Sequence, residues 1–218
     1  MTTSLTSFDQ FIKEHSLLTH YFYKHKWNNG ELTPEDMQKY AKEYYYLVKS
    51  IPGIVSRVCE RAKERKSDLV NDITRNIEEE TEHIVLWERF GKSLGIGKEV
   101  LQSYVPSKKV VEAVKELEKL VEGSLEDGVC AMYAMELELP AVSKTKKEGL
   151  CKYYNLSESN EDAHIYFNEH LNEEEHFGVW RKISVDPVRA KVVIAQSLAL
   201  QHKVLDGVCE VCGIECDC

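Results

Sequence analysis

The sequence predicts an all-α protein of seven to eight helices, and three observations carry that reading. Helix starts are marked by capping residues and N-terminal prolines along the chain. Apolar residues recur at helical rather than alternating spacing. No convincing strand pair is found, and 11 Gly and 5 Pro in 218 residues are too few for a turn-rich β-sandwich.

The elements follow in order. Ser7-x-x-Gln10 reads as a capping box ahead of Phe11 and Ile12. Thr33-Pro34-Glu35-Asp36 supplies an N-cap, a proline at the first helical position and first-turn acids. That helix is expected to stop before Ile51-Pro52-Gly53, with a third over residues 54–65. A fourth is expected from Ser67 or Asp68 to Gly91, with Leu94-Gly95-Ile96-Gly97 as connector. A fifth follows Val105-Pro106-Ser107, a sixth covers residues 125–147, and a seventh covers about 160–183. Asp186-Pro187 opens the eighth, where Val192-Val193-Ile194 is too short and too helically flanked to read as a strand. No low-complexity linker divides the chain, so one domain is expected over residues 1–208, followed by a Cys-rich tail over 209–218.

Composition bounds the function. The 37 acidic residues outnumber the 28 basic ones, a net charge of −9, which argues against a nucleic-acid binder. No apolar run approaches a membrane span, and the N-terminus lacks the basic and apolar regions of a secretory signal, so a cytoplasmic location is expected. Cys59, Cys130 and Cys151 read as small buried hydrophobes. Cys209, Cys212, Cys216 and Cys218 could bind zinc, copper(I) or an iron–sulfur cluster, although the spacing is too compact for a usual zinc ribbon.

The informative motif occurs twice. Residues 78–87 read EEETEHIVLW and residues 172–180 read NEEEHFGVW. Both hold Glu-x-x-His-x-x-x-Trp: Glu80, His83 and Trp87, then Glu173, His176 and Trp180. Positions three and four apart share a helix face, so each segment presents a carboxylate and an imidazole together. Two such pairs on different helices are what a carboxylate-bridged di-iron or di-manganese centre uses. Such acidic runs are usually solvated faces, and one Glu-x-x-His alone says little; the duplication is what gives the pattern weight. Glu136 adds a carboxylate within the apolar stretch MYAMEL, where burial is costly unless a cation compensates. His170 adds a third imidazole. Six residues separate His170 from His176, about 120° on an ideal helix, so either the helix deviates locally or one of the two is not a ligand. Glu79 is an alternative to Glu80, and Glu174 or Glu175 to Glu173. Zinc fits this set less well than iron, since closed zinc sites prefer four nitrogen and sulfur ligands.

These residues resemble the heme-oxygenase-like di-metal oxidases, a superfamily that includes thiaminase-II proteins and the oxidase completing pyrroloquinoline quinone. Within it the likeness is to the family of the chlamydial protein associating with death domains. It rests on FYKHKWNNGELTPEDMQKYAKEYYYLVKSIP, HIVLWERF, AMELELP and HIYFNEH, and spans roughly Tyr21 to Trp180. The resemblance implies a heme-oxygenase-like bundle, a homodimer, and two metal ions (Fe/Fe or Fe/Mn) acting with dioxygen and a reductant. It implies p-aminobenzoate formation for folate synthesis, with one of the protein's own tyrosines as ring source and a lysine as nitrogen donor. The matching positions are Tyr23 and Lys146. Lys146, ten residues beyond Glu136 on what reads as one helix, would lie about 15 Å along its axis. Departures from the family pattern are a late helix one residue shorter, Glu173 in place of Asp, Met135 in place of Tyr, and an insertion around Lys24-His25-Lys26. The alternatives are a multiple-turnover oxidase on a free small molecule, a thiaminase-type hydrolase using Cys130, and a protein that binds partners of helical type.

Overall fold

The computed structural model describes residues 2–172 and 174–215; at 172 and 174–176 it describes the backbone alone. The chain is an all-α bundle. Its helices are α1 (Asp9–Glu14), α2 (Pro34–Glu64), α3 (Val70–Ser93), α4 (Lys98–Ser103), α5 (Lys108–Val121), α6 (Leu125–Glu136), α7 (Leu139–Tyr153), α8 (Glu161–Glu169), α9 (Glu174–Trp180) and α10 (Pro187–Cys212). No described helix is long and apolar enough to cross a membrane.

α6 is the central rod. It is buried on nearly every side, packing on α2, α5, α9 and α10, which is why its sequence is apolar all round. α2 and α10 flank it, α3 lies on α2, and α8 lies on α3 and α7. The caps at α2, α5 and α10 form as the sequence indicates. Thr33 and Asp36 make a full capping box, while Ser107 and Asp186 accept from the backbone N–H three residues on.

Several boundaries differ from expectation. α2 runs straight through Pro52, because both halves bury apolar faces from Met37 to Ala62 and this outweighs the roughly 3 kcal/mol that an interior proline costs. Conversely, residues 125–147 are two helices. The chain turns at Leu137–Glu138 and restarts with Pro140 in the first turn, where no N–H is needed. The late segment also breaks: α8 ends at Glu169, a 3₁₀ turn covers His170–Asn172, and α9 follows. Ser7 does not cap α1. Its hydroxyl donates to the Ser4 carbonyl within a 3₁₀ turn over Leu5–Phe8. Thr3–Ser4 pairs antiparallel with Ser184–Val185, two residues on each side and too short for any strand signal. α4 occupies residues expected to be irregular. α10 continues through Cys212, so Cys209 is a buried helical residue rather than part of a tail; Cys216 and Cys218 lie outside the described residues. Cys151 is exposed at the end of α7, its thiol 3.8 Å from His164 Nε2, whereas Cys59 and Cys130 are buried as expected.

Two local features place the site. Residues Phe22–Lys26 form a π-helical turn, in which hydrogen bonds span five residues instead of four. Tyr23 sits in that turn, fully buried. Gly149 lets α7 lie against Trp27, since a Cβ there would collide with the indole. Trp27 Nε1 in turn donates to the Thr145 carbonyl at 3.3 Å. This contact seats the turn of α7 that carries Lys146.

Candidate metal centre

Four of the predicted ligands meet in the bundle interior. Glu80 and His83 lie on α3, Glu136 ends α6, and His170 opens the 3₁₀ turn; each is at most 6% exposed. His83 Nδ1 is 3.3 Å from Glu80 Oε2. The His83 and His170 rings stand edge to face with centroids 4.5 Å apart. Glu80, Glu136 and His170 line one cavity of about 40 Å³, walled by Leu17, Leu47, Val48, Met132 and Met135. That is room for a water or two.

The helix breaks explain the convergence. His170 faces His83 because the chain tightens there; the 120° conflict with His176 arises only on a straight helix. Glu173 and the side chain of His176 lie outside the described residues. On α3 Glu80 is buried at the cavity, while Glu79 is over a third exposed, with Oε1 3.9 Å from Arg75 Nε and Oε2 buried, so both carboxylates stay available as ligands.

Buried carboxylates beside neutral imidazoles are the donor set of a dinuclear non-heme centre, so the residues fit one in kind and in burial. Among the described residues, however, no three His, Cys, Asp or Glu side chains come close enough together to hold an ion by themselves. Glu80, His83, Glu136 and His170 would hold part of the coordination.

Glu136 is held by neutral donors. Trp180 Nε1 donates to Oε2 at 2.5 Å, and Asn76 Nδ2 approaches Oε1 at 3.5 Å. Asn76 lies on the same face of α3 as Glu80 and His83, four and seven residues before them.

A second cluster adjoins the first. Lys146 is buried with its Nζ among five aromatic rings: 4.7 Å from the Tyr44 centroid, 5.3 Å from Phe167, 5.4 Å from Tyr40, 5.6 Å from Trp87 and 6.0 Å from Tyr23. The ring faces attract a cation, but burial strips its water and pushes the amine down to about 7. Lys146 is carried by α7, which restarts after the turn at Leu137–Glu138 and packs on α8. Tyr23 and Tyr40 are buried beside it, with phenols held well above 10 by loss of solvent. Their hydroxyls influence one another but make no hydrogen bond of ordinary geometry. Tyr44 reaches both clusters: it stacks on Trp87 at 5.3 Å and lines the cavity. Tyr166 does the same, 4.8 Å from Trp87 and 4.4 Å from His170 between ring centroids.

The sequence reading missed Asn76, Tyr40, Tyr44, Tyr166 and Phe167. The spacing Asn76–Glu80–His83 offered a signal for the first. The tyrosines were indistinguishable from ordinary core among 11. Cys130 lies away from the cavity lining, and burial pushes its thiol up to about 12, the opposite of an activated nucleophile.

An antiparallel helical bundle with buried carboxylates and imidazoles around one small cavity defines a heme-oxygenase-like fold with a candidate metal site. The chain belongs to the TENA/THI-4/PQQC family, which it matches over residues 9–210. It is 35% identical over 170 residues to the 4-aminobenzoate synthase of Chlamydia muridarum, covering 76% of this chain and 70% of that one. It is 26% identical over 230 residues to the 4-aminobenzoate synthase of Nitrosomonas europaea, covering 93% and 89%. Among solved structures, a TenA homolog from Pseudomonas syringae pv. tomato superposes with a TM-score of 0.78 at 13% identity, over 94% of this chain and 91% of that one.

Proposed function

We propose that this chain is an enzyme that forms 4-aminobenzoate, taking the ring from Tyr23 and the nitrogen from Lys146 beside a dinuclear metal centre. The observation that carries the reading is the juxtaposition in one buried compartment: the Lys146 amine lies 6.0 Å from the centroid of the Tyr23 ring, and the same aromatic cluster continues to His170. The relatives named 4-aminobenzoate synthase supply the product.

The bound metals, iron with iron or with manganese, would supply one-electron chemistry and activation of dioxygen. The protein's own contributions follow from its geometry. Burial leaves a large fraction of Lys146 as free amine at neutral pH, and only the amine has a lone pair to transfer nitrogen. Burial also keeps Tyr23 a neutral phenol until it is oxidised. The shared cluster of Tyr44, Trp87 and Tyr166 supports passage of oxidising equivalents between the cavity and Tyr23 without either reactant moving. Enclosure keeps water out of the compartment.

The test is isotopic. Protein containing ring-¹³C tyrosine and ¹⁵N lysine is loaded anaerobically with iron and manganese, then given dioxygen and ascorbate. Released 4-aminobenzoate is expected to carry both labels, with at most one product per chain and altered peptides at Tyr23 and Lys146. Product that carries neither label and accumulates beyond one per chain would replace this reading with that of a multiple-turnover oxidase acting on a free molecule.

A further inference from the structure

We propose that Trp180 is a positioning residue for the metal centre: its indole N–H holds the carboxylate of Glu136 in the orientation that metal binding uses. The inference rests on the metal reading above and adds a residue with no metal-binding atom of its own.

Trp180 is fully buried, and its Nε1 donates to Glu136 Oε2 at 2.5 Å. Any large apolar side chain could fill the space; only tryptophan fills it and also donates at this point. The Asn76 amide meets the other oxygen. With Nδ2 toward the carboxylate, the buried Asn76 Oδ1 has no hydrogen-bond partner, so the amide is oriented at a cost of roughly 1–3 kcal/mol. Both donors are neutral. Together they restrict the carboxylate rotamer.

Arg181, the next residue, donates to Tyr133 Oη at 2.8 Å and to Asp9 Oδ2 at 2.9 Å, and Tyr133 Oη donates to Asp9. This triad ties the end of α9 to α6 and α1. It fixes the backbone at position 180 while keeping the guanidinium on Asp9. The indole therefore reaches Glu136 from an anchored strut, which is what an orienting residue needs.

The experiment compares Co(II) binding to wild type and Trp180→Phe by absorbance titration of the full chain, with far-UV circular dichroism and thermal melting of the metal-free proteins alongside. The phenyl ring keeps most of the packing and lacks the N–H. Apparent Co(II) affinity is expected to fall about 10- to 100-fold, with the helical spectrum retained. Equal affinity in wild type and variant would overturn this inference alone. A wild type that binds no Co(II) would overturn the metal reading with it. A second measurement needs no variant. In wild type labelled with ¹⁵N tryptophan, three indole signals are expected, and Zn(II) should shift the Trp180 signal more than that of Trp27, whose N–H is bound to a backbone carbonyl. A Trp180 signal unmoved by saturating Zn(II) would refute the contact's part in binding, whether or not Trp180→Phe folds.

Discussion

In α3, Glu80, His83 and Trp87 stand on one unbroken helix; the matching segment at residues 173–180 follows a 3₁₀ turn and sits on the short α9. The sequence spacing is identical, and the two tryptophans do different things. Trp87 donates to the Ala41 carbonyl at 2.9 Å, tying α3 to α2, and gives its ring to the Lys146 compartment. Trp180 donates to Glu136. One tryptophan is a strut between helices and the other a hand on a carboxylate. The regular segment presents its donors by periodicity alone; the broken one needs anchors at both ends, His170 packed on Tyr166 before α9 and Arg181 on Asp9 after it. A repeated motif thus specifies which side chains are on hand, and the surrounding packing decides what each one does.

The largest expected effect breaks both halves together. Glu136 lies between them, reached by Asn76 from α3 and by Trp180 from α9. Glu136→Ala is expected to abolish metal uptake, from about two ions per chain to none, by elemental analysis of protein made with added iron and manganese. Retention of both metals would mean that Glu136 is a buried structural carboxylate and that the two segments are not halves of one site.

The next effect concerns the compartment on the α3 side. Lys146 is pushed down to about 7 in the folded chain, against about 10.4 when unfolded. Between these values the unfolded chain binds the extra proton, so stability rises with pH from about 7 to 10. Lys146→Met removes that dependence and keeps the length of the stem. The variant is expected to be more stable near pH 7 by on the order of 2–4 kcal/mol, with the gain fading toward pH 10. Denaturant melts across that range check it; a constant difference would show that Lys146 carries its charge in the fold.

A smaller effect separates the two tryptophans. Trp87→Phe loses one buried N–H···O=C bond, while the Ala41 carbonyl keeps its donor within α2, for about 0.5–1.5 kcal/mol of stability. Its metal affinity is expected to stay within about twofold of wild type. Trp180→Phe also loses a buried hydrogen bond and some stability, and it differs in affinity, which is expected to fall about 10- to 100-fold. Matching losses of affinity in the two variants would erase the distinction between strut and positioning residue.

Much of this was legible beforehand, and the remainder has identifiable causes. Glu80, His83 and Glu136 stood out because carboxylates and imidazoles in helical register with apolar neighbours are costly without a reason. The angle between His170 and His176 left either a local break or a non-ligating histidine, and the chain has the break, a 3₁₀ turn at His170. The break after Glu136 was missed, since Leu137-Glu138-Leu139 has good helix formers and Pro140 is equally at home in a first turn. Lys146 therefore belongs to a separate helix, α7, with its amine in the aromatic cluster. Pro52 misled in the opposite direction, because long-range packing of α2 overrides a local breaker. Tyr40, Tyr44 and Tyr166 carry no local mark of function; only their convergence on Lys146 and His170 distinguishes them from other core rings.

The finest test asks whether the register of α3 is right to one residue. Glu79 and Glu80 are chemically identical neighbours about 100° apart around the helix. Glu80 lines the cavity, while Glu79 turns Oε1 toward the exposed Arg75, 3.9 Å away, and buries Oε2. With Glu80 as the ligand, Glu79→Gln, which keeps the shape of the side chain, is expected to leave metal content untouched. Glu80→Gln, the same chemical change one position on, should lower metal content measurably. Reversed results would mean that α3 turns by one residue's worth of rotation when metal binds. The face Asn76–Glu80–His83 would then be a resting arrangement, and the regular half of the pair, not the broken one, would be the half that moves.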